Sequence, residues 1–519
     1  MKNKKNSKIW LILSSISALT AIFPLAAISC DHKVKQNSKE NKEDLKPDEN
    51  KPEPKPVNPT KEDDLKPDQN KPEPKPENPN KEEDSSNLNK KFKFELTKSN
   101  TWKIAKFIGN DSKVTIPKEY QGKNITEIGN RAFFNSVIQS VTIAGSVKEI
   151  GEGAFSGCRN IKEVILNEGL EKIGAQAFKY TNIESITIPS TVKEIGAEAF
   201  YNTNIESITI PGSVKEIGES AFSSCKNLKK VILNEGLEKI GDYAFNNTDI
   251  ESITIPGSVK EVGESAFSSC KNLKKVILNE GLERIGDYAF NNTNIESITI
   301  PGSVKEVGKS TFSGCKNLKK VILNEGLEKI GAEAFKTINI EYIVIPRSVK
   351  EIGDYAFYDC KNLKEVFLNE GLEKTGARAF NFSIISHISI NSNNKNFEIK
   401  DNFFIDKNNK KILAYLDKET TKVTIPNNIK EIDDSAFLGC QNLKKVILNE
   451  GLEKIGDEAF YNTNIESITI PASVKKFGYS AFFGCKNLKE VIYKGDASNI
   501  GWQYIGIDET NTKIISSNN

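Results

Sequence analysis

Histidine occurs twice and methionine once in 519 residues, there is no CxxC pair, and neither sign of charge dominates, Lys plus Arg numbering 72 against 70 for Asp plus Glu. Each scarcity excludes something. With only His32 and His387, far apart in the chain, imidazole acid–base work and histidine-rich metal ligation have no basis. The balanced charge argues against a nucleic-acid binder, which carries a net basic footprint. Glycines recur at regular intervals, with no strand–Gly-rich loop–helix arrangement for holding phosphates. Glu and Lys recur at fixed intervals as well, as in KEIG and EKIG, which reads as a solvated repeating surface. No catalytic residue, metal ligand or cofactor site is therefore expected, and the chain reads as a non-enzyme.

The first thirty residues have the three parts of an export signal: the basic stretch MKNKKNSK, an apolar run from Ile9, and small residues before Cys30. Four lysines and no acidic residue precede Cys30, so cleavage there turns 72 against 70 into 68 against 70. The run is also about long enough to span a bilayer, which leaves an uncleaved anchor or a plain secretory signal as alternatives. Ala27-Ile28-Ser29-Cys30 resembles a bacterial lipobox, with Ala27 where leucine is usual. That resemblance implies cleavage before Cys30 and a diacylglyceryl anchor on its thiol, on the outer face of the cell membrane. Residues 30–90 are rich in Lys, Glu, Asn and Pro, and KEDLKPDENKPEPKP recurs as KEDDLKPDQNKPEPKP. With little to bury, this segment is expected to be a disordered, semi-extended stalk.

Further on, an Ala-Phe or Thr-Phe pair recurs with Phe at 133, 155, 178, 200, 222, 245, 267, 290, 312, 335, 357 and 380, then at 437, 460 and 482. Most steps are 22 or 23 residues, the interval of leucine-rich repeats. Two flavours alternate, NTNIESITIPGSVKEIGESAF and SCKNLKKVILNEGLEKIGDYAF. In the unit from Ile183 to Phe200, Ile183, Ile186 and Ile188 fit an LxxLxL strand that Pro189 ends. Val192 and Ile195 turn inward, Gly196 permits a tight turn, and Ala197–Phe200 forms a short helical or 3₁₀ stretch. No coil buries its own apolar stripe, so the units must stack.

The predicted fold is a leucine-rich-repeat solenoid of about 15–16 coils, with short parallel strands in one long sheet and turns with short helical or 3₁₀ segments opposite. Residues 1–29 form the signal peptide and 30–90 the stalk. An N-terminal cap at 91–126 precedes repeats at 127–380. A degenerate repeat with a hairpin-like insertion around Asp406–Lys410 fills 381–430, repeats return at 431–494, and 495–519 forms a C-terminal cap and tail. Seven cysteines, at 158, 225, 270, 315, 360, 440 and 485, each follow a repeat phenylalanine by three residues. The commonest spacing is two coils, about 10 Å, beyond disulfide reach, so they read as buried free thiols.

Outward strand positions form ladders on the sheet face. One reads Ile165, Thr187, Thr209, Ile232, Thr254, Ile277, Thr299, Ile322, Val344, Phe367; its neighbour ends Lys320, Tyr342, Glu365. Strand propensity alone accounts for much of this. The regular pattern gives way toward its end, so the candidate ligand face is Lys320, Ile322, Tyr342, Val344, Glu365, Phe367 and His387.

The unit IxxITIPxSVKEIGxxAFxxCxNLKxV resembles the BspA-like, or Treponema pallidum type, leucine-rich repeat over about 110–495, and DNFFIDKNNKKILAYL resembles the degenerate unit found in such proteins. With Cys30, the stalk and the lysine-rich composition, the whole resembles a mycoplasma surface lipoprotein. The resemblance implies adhesion to host cells or extracellular-matrix proteins and carries no residue-level ligand motif. A structural or shielding array without a defined ligand is the alternative reading.

Overall fold

A computed structural model describes residues 85–516, apart from 382, 384 and 499; the expected signal segment, Cys30 and most of the stalk lie outside the described residues. The folded part begins before residue 91. Ser85–Lys91 is a seven-residue helix whose Leu88 is buried in the core, which corrects the stalk boundary. One well-placed leucine suffices to dock a short helix. The following strands, Phe92–Leu96 and Trp102–Phe107, pair antiparallel and lead into the parallel stack.

From there the chain winds as a solenoid of about 18 coils. Counting Ala-Phe pairs undercounts them because other aromatic residues fill the same slot at the irregular places. Phe107 stacks on Phe133 at 4.9 Å and Tyr415 on Phe437 at 5.4 Å. Between Phe155 and Phe380 the repeat phenylalanines form one column, with centroids 5.1–5.5 Å apart and planes within 2–10°. Each ring is sandwiched by the rings of both neighbouring coils, so each coil completes the core of the next.

Every regular coil has three sides. The first carries the four-residue strands such as Ser207–Ile210 and Lys230–Leu233, in register Ser207↔Lys230 through Ile210↔Leu233. The second is a ladder of two-residue strands, Glu194–Ile195 pairing with Glu216–Ile217, which runs unbroken to Lys374–Thr375. The third, expected to carry turns and short helical or 3₁₀ stretches, is made of turns that also bond from coil to coil. Phe200 N–H donates to Ala221 O at 2.8 Å and Tyr201 N–H to Glu198 O at 3.0 Å. Alternate residues thus serve the neighbouring coil and their own turn. The geometry requires a left-handed residue two places before and two places after each phenylalanine, as at Glu198 and Asn202, both with φ 55°.

The first side is not one continuous sheet. Its ladder is divided into groups of three, six, three and five strands. The coil taken above as the type, Ile183 to Phe200, lies at the first division, where a single bridge Glu163↔Ser185 replaces a ladder. The cause is the proline. Where an ITIP strand is followed by an ILN strand, Asn234 N–H donates to Ile210 O at 3.2 Å. Where ILN is followed by ITIP, proline stands at that position and has no N–H to give. In the regular coils before the break pairing there shrinks to Lys230↔Ser252 or is lost, whereas beyond the break Lys445–Ile447 still pairs over three residues with Ser467–Ile470. The coils before the break are therefore tight within doublets and looser between them.

Gly196 has a different role from the one expected. Its φ is not left-handed; a Cβ there would lie 2.5 Å from Ala175 N, so glycine is needed for close backbone approach. The glycine of NEGLE is the conformational one. Gly281 has φ +113°, and a Cβ on it would meet Gly257 O at 2.1 Å.

From Glu216 to Lys374 charge also alternates down the second side. Lys239 meets Glu216 at 2.9 Å, Arg284 meets Glu261 at 3.1 Å and Lys329 meets Glu306 at 3.0 Å. Each pair is exposed and weak, but an offset of one coil would oppose like charges along this stretch.

Regularity stops after Phe380. Phe397–Lys400, Phe403–Asp406 and Lys411–Tyr415 form an antiparallel meander, the last two strands making a hairpin, and Lys411–Tyr415 rejoins the parallel ladder through Glu431–Ile432. Two hydrophobic cores meet here, one ending at Phe404 and the other beginning at Phe403. Arg378 spans the break, reaching Asp434 at 3.3 Å and Asp457 at 3.1 Å. Asn394 Nδ2 ties the loop after the preceding coil to Asn369 O and Leu372 O, each at 3.1 Å. At the C-terminal end Lys513–Ser516 adds one more parallel strand, on Glu490–Tyr493.

Candidate binding face

The first side of the coil presents alternate residues outward because successive strand residues point to opposite faces. In Tyr342–Ile345 and Glu365–Leu368, Ile343, Ile345, Val366 and Leu368 are buried while their neighbours face out. Register then sets the rows. Tyr342 pairs with Glu365 and Glu365 with His387; Val344 pairs with Phe367 and Phe367 with Ser389. Tyr342 is 46 % exposed, Val344 and Phe367 are half-buried, and the Phe367 and His387 rings meet edge to face at 6.4 Å. Five of the seven candidate residues therefore share one three-stranded patch.

Lys320 and Ile322 belong to a different group of strands. Lys320–Leu323 closes the six-stranded group, and the proline-ended step separates it from Tyr342–Ile345. The exposed isoleucines Ile165, Ile232 and Ile277 alternate with threonines along the regular coils, so each stands alone, whereas Ile322 is followed by Val344. Hydrogen-bonded coils with adjoining large side chains on this ladder begin at Val344 and Phe367. Ser389 completes this row and was not among the candidates, since the position falls where the repeat motif fades. A further exposed aromatic group, Tyr479, Phe483 and Tyr504, lies on the turn side, with Tyr479 against Tyr504 at 5.4 Å. Its signal was a change of residue type, Phe483 standing where earlier coils have serine at 223, 268 and 313.

The cysteines are structural. Cys270 Sγ donates to Phe245 O at 3.2 Å and lies 3.2 Å from the Thr248 hydroxyl, which itself donates to Phe245 O at 2.9 Å. The same trio recurs at Thr293 and Cys315. Thr and Cys alternate in one slot, so a carbonyl of the turn is satisfied and no two of these thiols occupy adjacent coils. All seven are free, and burial pushes the thiols up, Cys225 to about 11 and Cys360 to about 12, which keeps them protonated and inert.

Elsewhere the shifted groups are structural too. Glu235 is held below the ordinary carboxylate range by the N–H groups of Gly257 and Ser258, a contact between successive turns. Lys418 lies in the break, in the slot that threonine or cysteine fills elsewhere. Its ammonium donates to Tyr415 O at 2.6 Å and Leu438 O at 2.8 Å, and desolvation lowers its pKa. Among the described residues no group of three or more His, Cys, Asp or Glu is placed to hold a metal ion, and no helix is long and apolar enough to cross a membrane.

The pattern that defines the BspA type leucine-rich-repeat region matches residues 110–202, 193–315, 283–412 and 409–515. None of the curated proteins matches the chain. Among solved structures, a leucine-rich repeat protein from Bacteroides ovatus is similar at 25 % identity and a TM-score of 0.50, over 82 % of this chain and 98 % of that one. A leucine-rich cell surface protein from Faecalibacterium prausnitzii is 24 % identical with a TM-score of 0.42, over 80 % and 96 %. The pneumococcal vaccine antigen PcpA is 22 % identical with a TM-score of 0.38, over 82 % and 96 %.

Proposed function

The chain belongs to the BspA-type leucine-rich-repeat family, and on that premise we propose that it is a cell-surface lipoprotein whose solenoid binds proteins of a host surface or extracellular matrix. A leucine-rich-repeat solenoid is a protein-interaction scaffold: a long exposed sheet side rather than an enclosed pocket. The observation that carries the reading is the adjoining of Tyr342, Val344, Phe367 and His387 in consecutive coils, where the regular coils alternate isolated isoleucine with threonine or serine. Clustered aromatic and branched side chains on an exposed face are a contact surface. The name of the Faecalibacterium neighbour, a cell surface protein, agrees with surface display. Anchoring through Cys30 would place the solenoid outside the cell, held off the lipid by the stalk.

The test is saturable binding of the full chain to a panel of matrix proteins and intact host cells, alongside a Tyr342→Glu/Phe367→Lys double variant. Binding that falls at least tenfold in the variant, with unchanged circular dichroism, is the expected result. Equal binding by both proteins, or none by either, would overturn the adhesive face. For the anchor, radiolabelled palmitate is expected on the wild-type chain and absent from Cys30→Ala; label on both would refute Cys30 as the lipid site.

A further inference from the structure

The break opens the first side of the solenoid. Among the described residues the strand His387–Ile390 pairs only with Glu365–Leu368, and Lys422–Thr424, the next strand on that side, pairs only with Lys445–Ile447. The division before it differs: Lys320–Leu323 and Tyr342–Ile345 still pack side by side, whereas His387–Ile390 packs next against Phe397–Lys400, the first strand of the meander, and not against Lys422–Thr424. Two strand edges thus face the same interval, one ending a stack and the other starting one.

Main-chain direction follows from the hydrogen bonds on either side. Asn391 N–H donates back to Leu368 O, so by strand alternation the main-chain groups of Ile388 and Ile390 point forward into the interval. Thr421 O accepts from the N–H groups of Lys444 and Lys445, so the N–H of Thr424 points backward into it. A cavity of about 50 Å³ reaches Ile388 of the first edge, is walled by Phe404, Leu413 and Leu416, and extends away to Arg378 and Asp433 on the turn side. In front, the outward row continues as Lys422 and Lys445, neither of which carries an ion pair among the described residues.

We infer that this interval is a strand-acceptor slot for an extended segment of a partner protein, with aliphatic residues facing the cavity and an acidic residue facing out beside Lys422. An unpaired strand edge recognises main chain, alternate side chains set specificity, and the two lysines supply the charge complementarity. The inference rests on the protein-binding reading above and adds the chemistry of the partner. The slot uses the main-chain edge of His387–Ile390, the last strand of the Tyr342 and Phe367 patch, whereas the adhesive reading uses that patch's outward side chains, so a change at Tyr342, two strands away, separates the two.

The probe is a synthetic peptide with the sequence of residues 362–370, NLKEVFLNE, which carries this alternation and one central outward glutamate. Its binding to the full chain is read by fluorescence anisotropy, with Tyr342→Glu, two strands from the slot, as a control that should leave it unchanged. Thr424→Pro removes the edge N–H and is expected to weaken binding at least tenfold. Lys422→Glu, a fully surface change that spares the fold, is expected to weaken this peptide about threefold and to strengthen a version with lysine in place of the central glutamate. No saturable binding to the wild-type chain, or equal affinities in wild type, Thr424→Pro and Lys422→Glu, would overturn the slot.

Discussion

In the regular coils between Phe155 and Phe380 nearly every stabilising contact is repeated: a ring on a ring and a lysine on a glutamate 22 or 23 residues apart, and, from Cys225 on, a thiol on a carbonyl in every second coil. In and across the break from 381 to 430 contacts are made once, by Asn394, Lys411 and Lys418 within it and by Arg378, which reaches over it to Asp457, 79 residues on. Repetition spreads stability thinly and evenly, so no single surface residue matters much. The break concentrates it in side chains with no understudy, and leaves strand edges open, which is why binding chemistry is sought there.

The sharpest way to break this contrast is to remove one ion pair from each region. Arg378, whose side chain is 15 % exposed, bridges Asp434 and Asp457 across the junction of the two cores. Arg378→Ala is expected to cost about 2 kcal/mol, the partly exposed Asp457 lowering it from the value of a fully buried pair. Lys239→Ala, which removes the exposed pair with Glu216, should cost less than about 0.5 kcal/mol. Urea titrations of both variants measure the difference; similar losses would erase the distinction between the regions.

A second test asks what the unit of the regular region is. Deleting residues 248–292, one doublet, places Lys239 beside Glu306 and puts Thr293 in the slot of Thr248, reproducing every contact type. Deleting 248–269, one coil, places Lys239 beside Arg284 and Glu238 beside Glu283, and brings Cys225 and Cys270 into adjacent coils. The one-coil deletion is expected to be less stable than the doublet deletion by about 1–2 kcal/mol from like-charge contacts and mismatched strand ends. It should also gain a disulfide under oxidising conditions. Thermal melts and free-thiol titration decide.

The smallest effect expected is that of Lys418→Thr, which gives the break the residue of a regular coil. In the wild type desolvation holds the Lys418 pKa below the ordinary lysine value, so between the two values the unfolded chain binds more protons than the folded one, and stability rises with pH through that window. The substitution should remove this rise and add about 1 kcal/mol below that window, where the enclosed ammonium is charged and costs desolvation. A pH series of melting curves running down from the ordinary lysine value checks it.

Much was legible in the chain itself. Period, phenylalanine column and strand positions are all written locally, because each coil repeats the same inward residues, and Ile186, Ile188, Val192 and Phe200 are buried as the pattern required. The thiol slot was equally readable from spacing. The break was visible as a lost period, and Tyr342 and Phe367 as departures from it, although only register shows that they adjoin.

What the sequence determined by itself is the fold and its repeat, since a stripe recurring every coil has no other way to be buried than by stacking. What tertiary structure decided depends on neighbours that no single unit contains. The doublet arises because a proline in one coil withholds its N–H from a carbonyl in another. Glycine is required at Gly196 because a different coil's backbone lies against it. The slot between His387 and Lys422 exists because two extra antiparallel strands enter one side of the coil without a counterpart on the other.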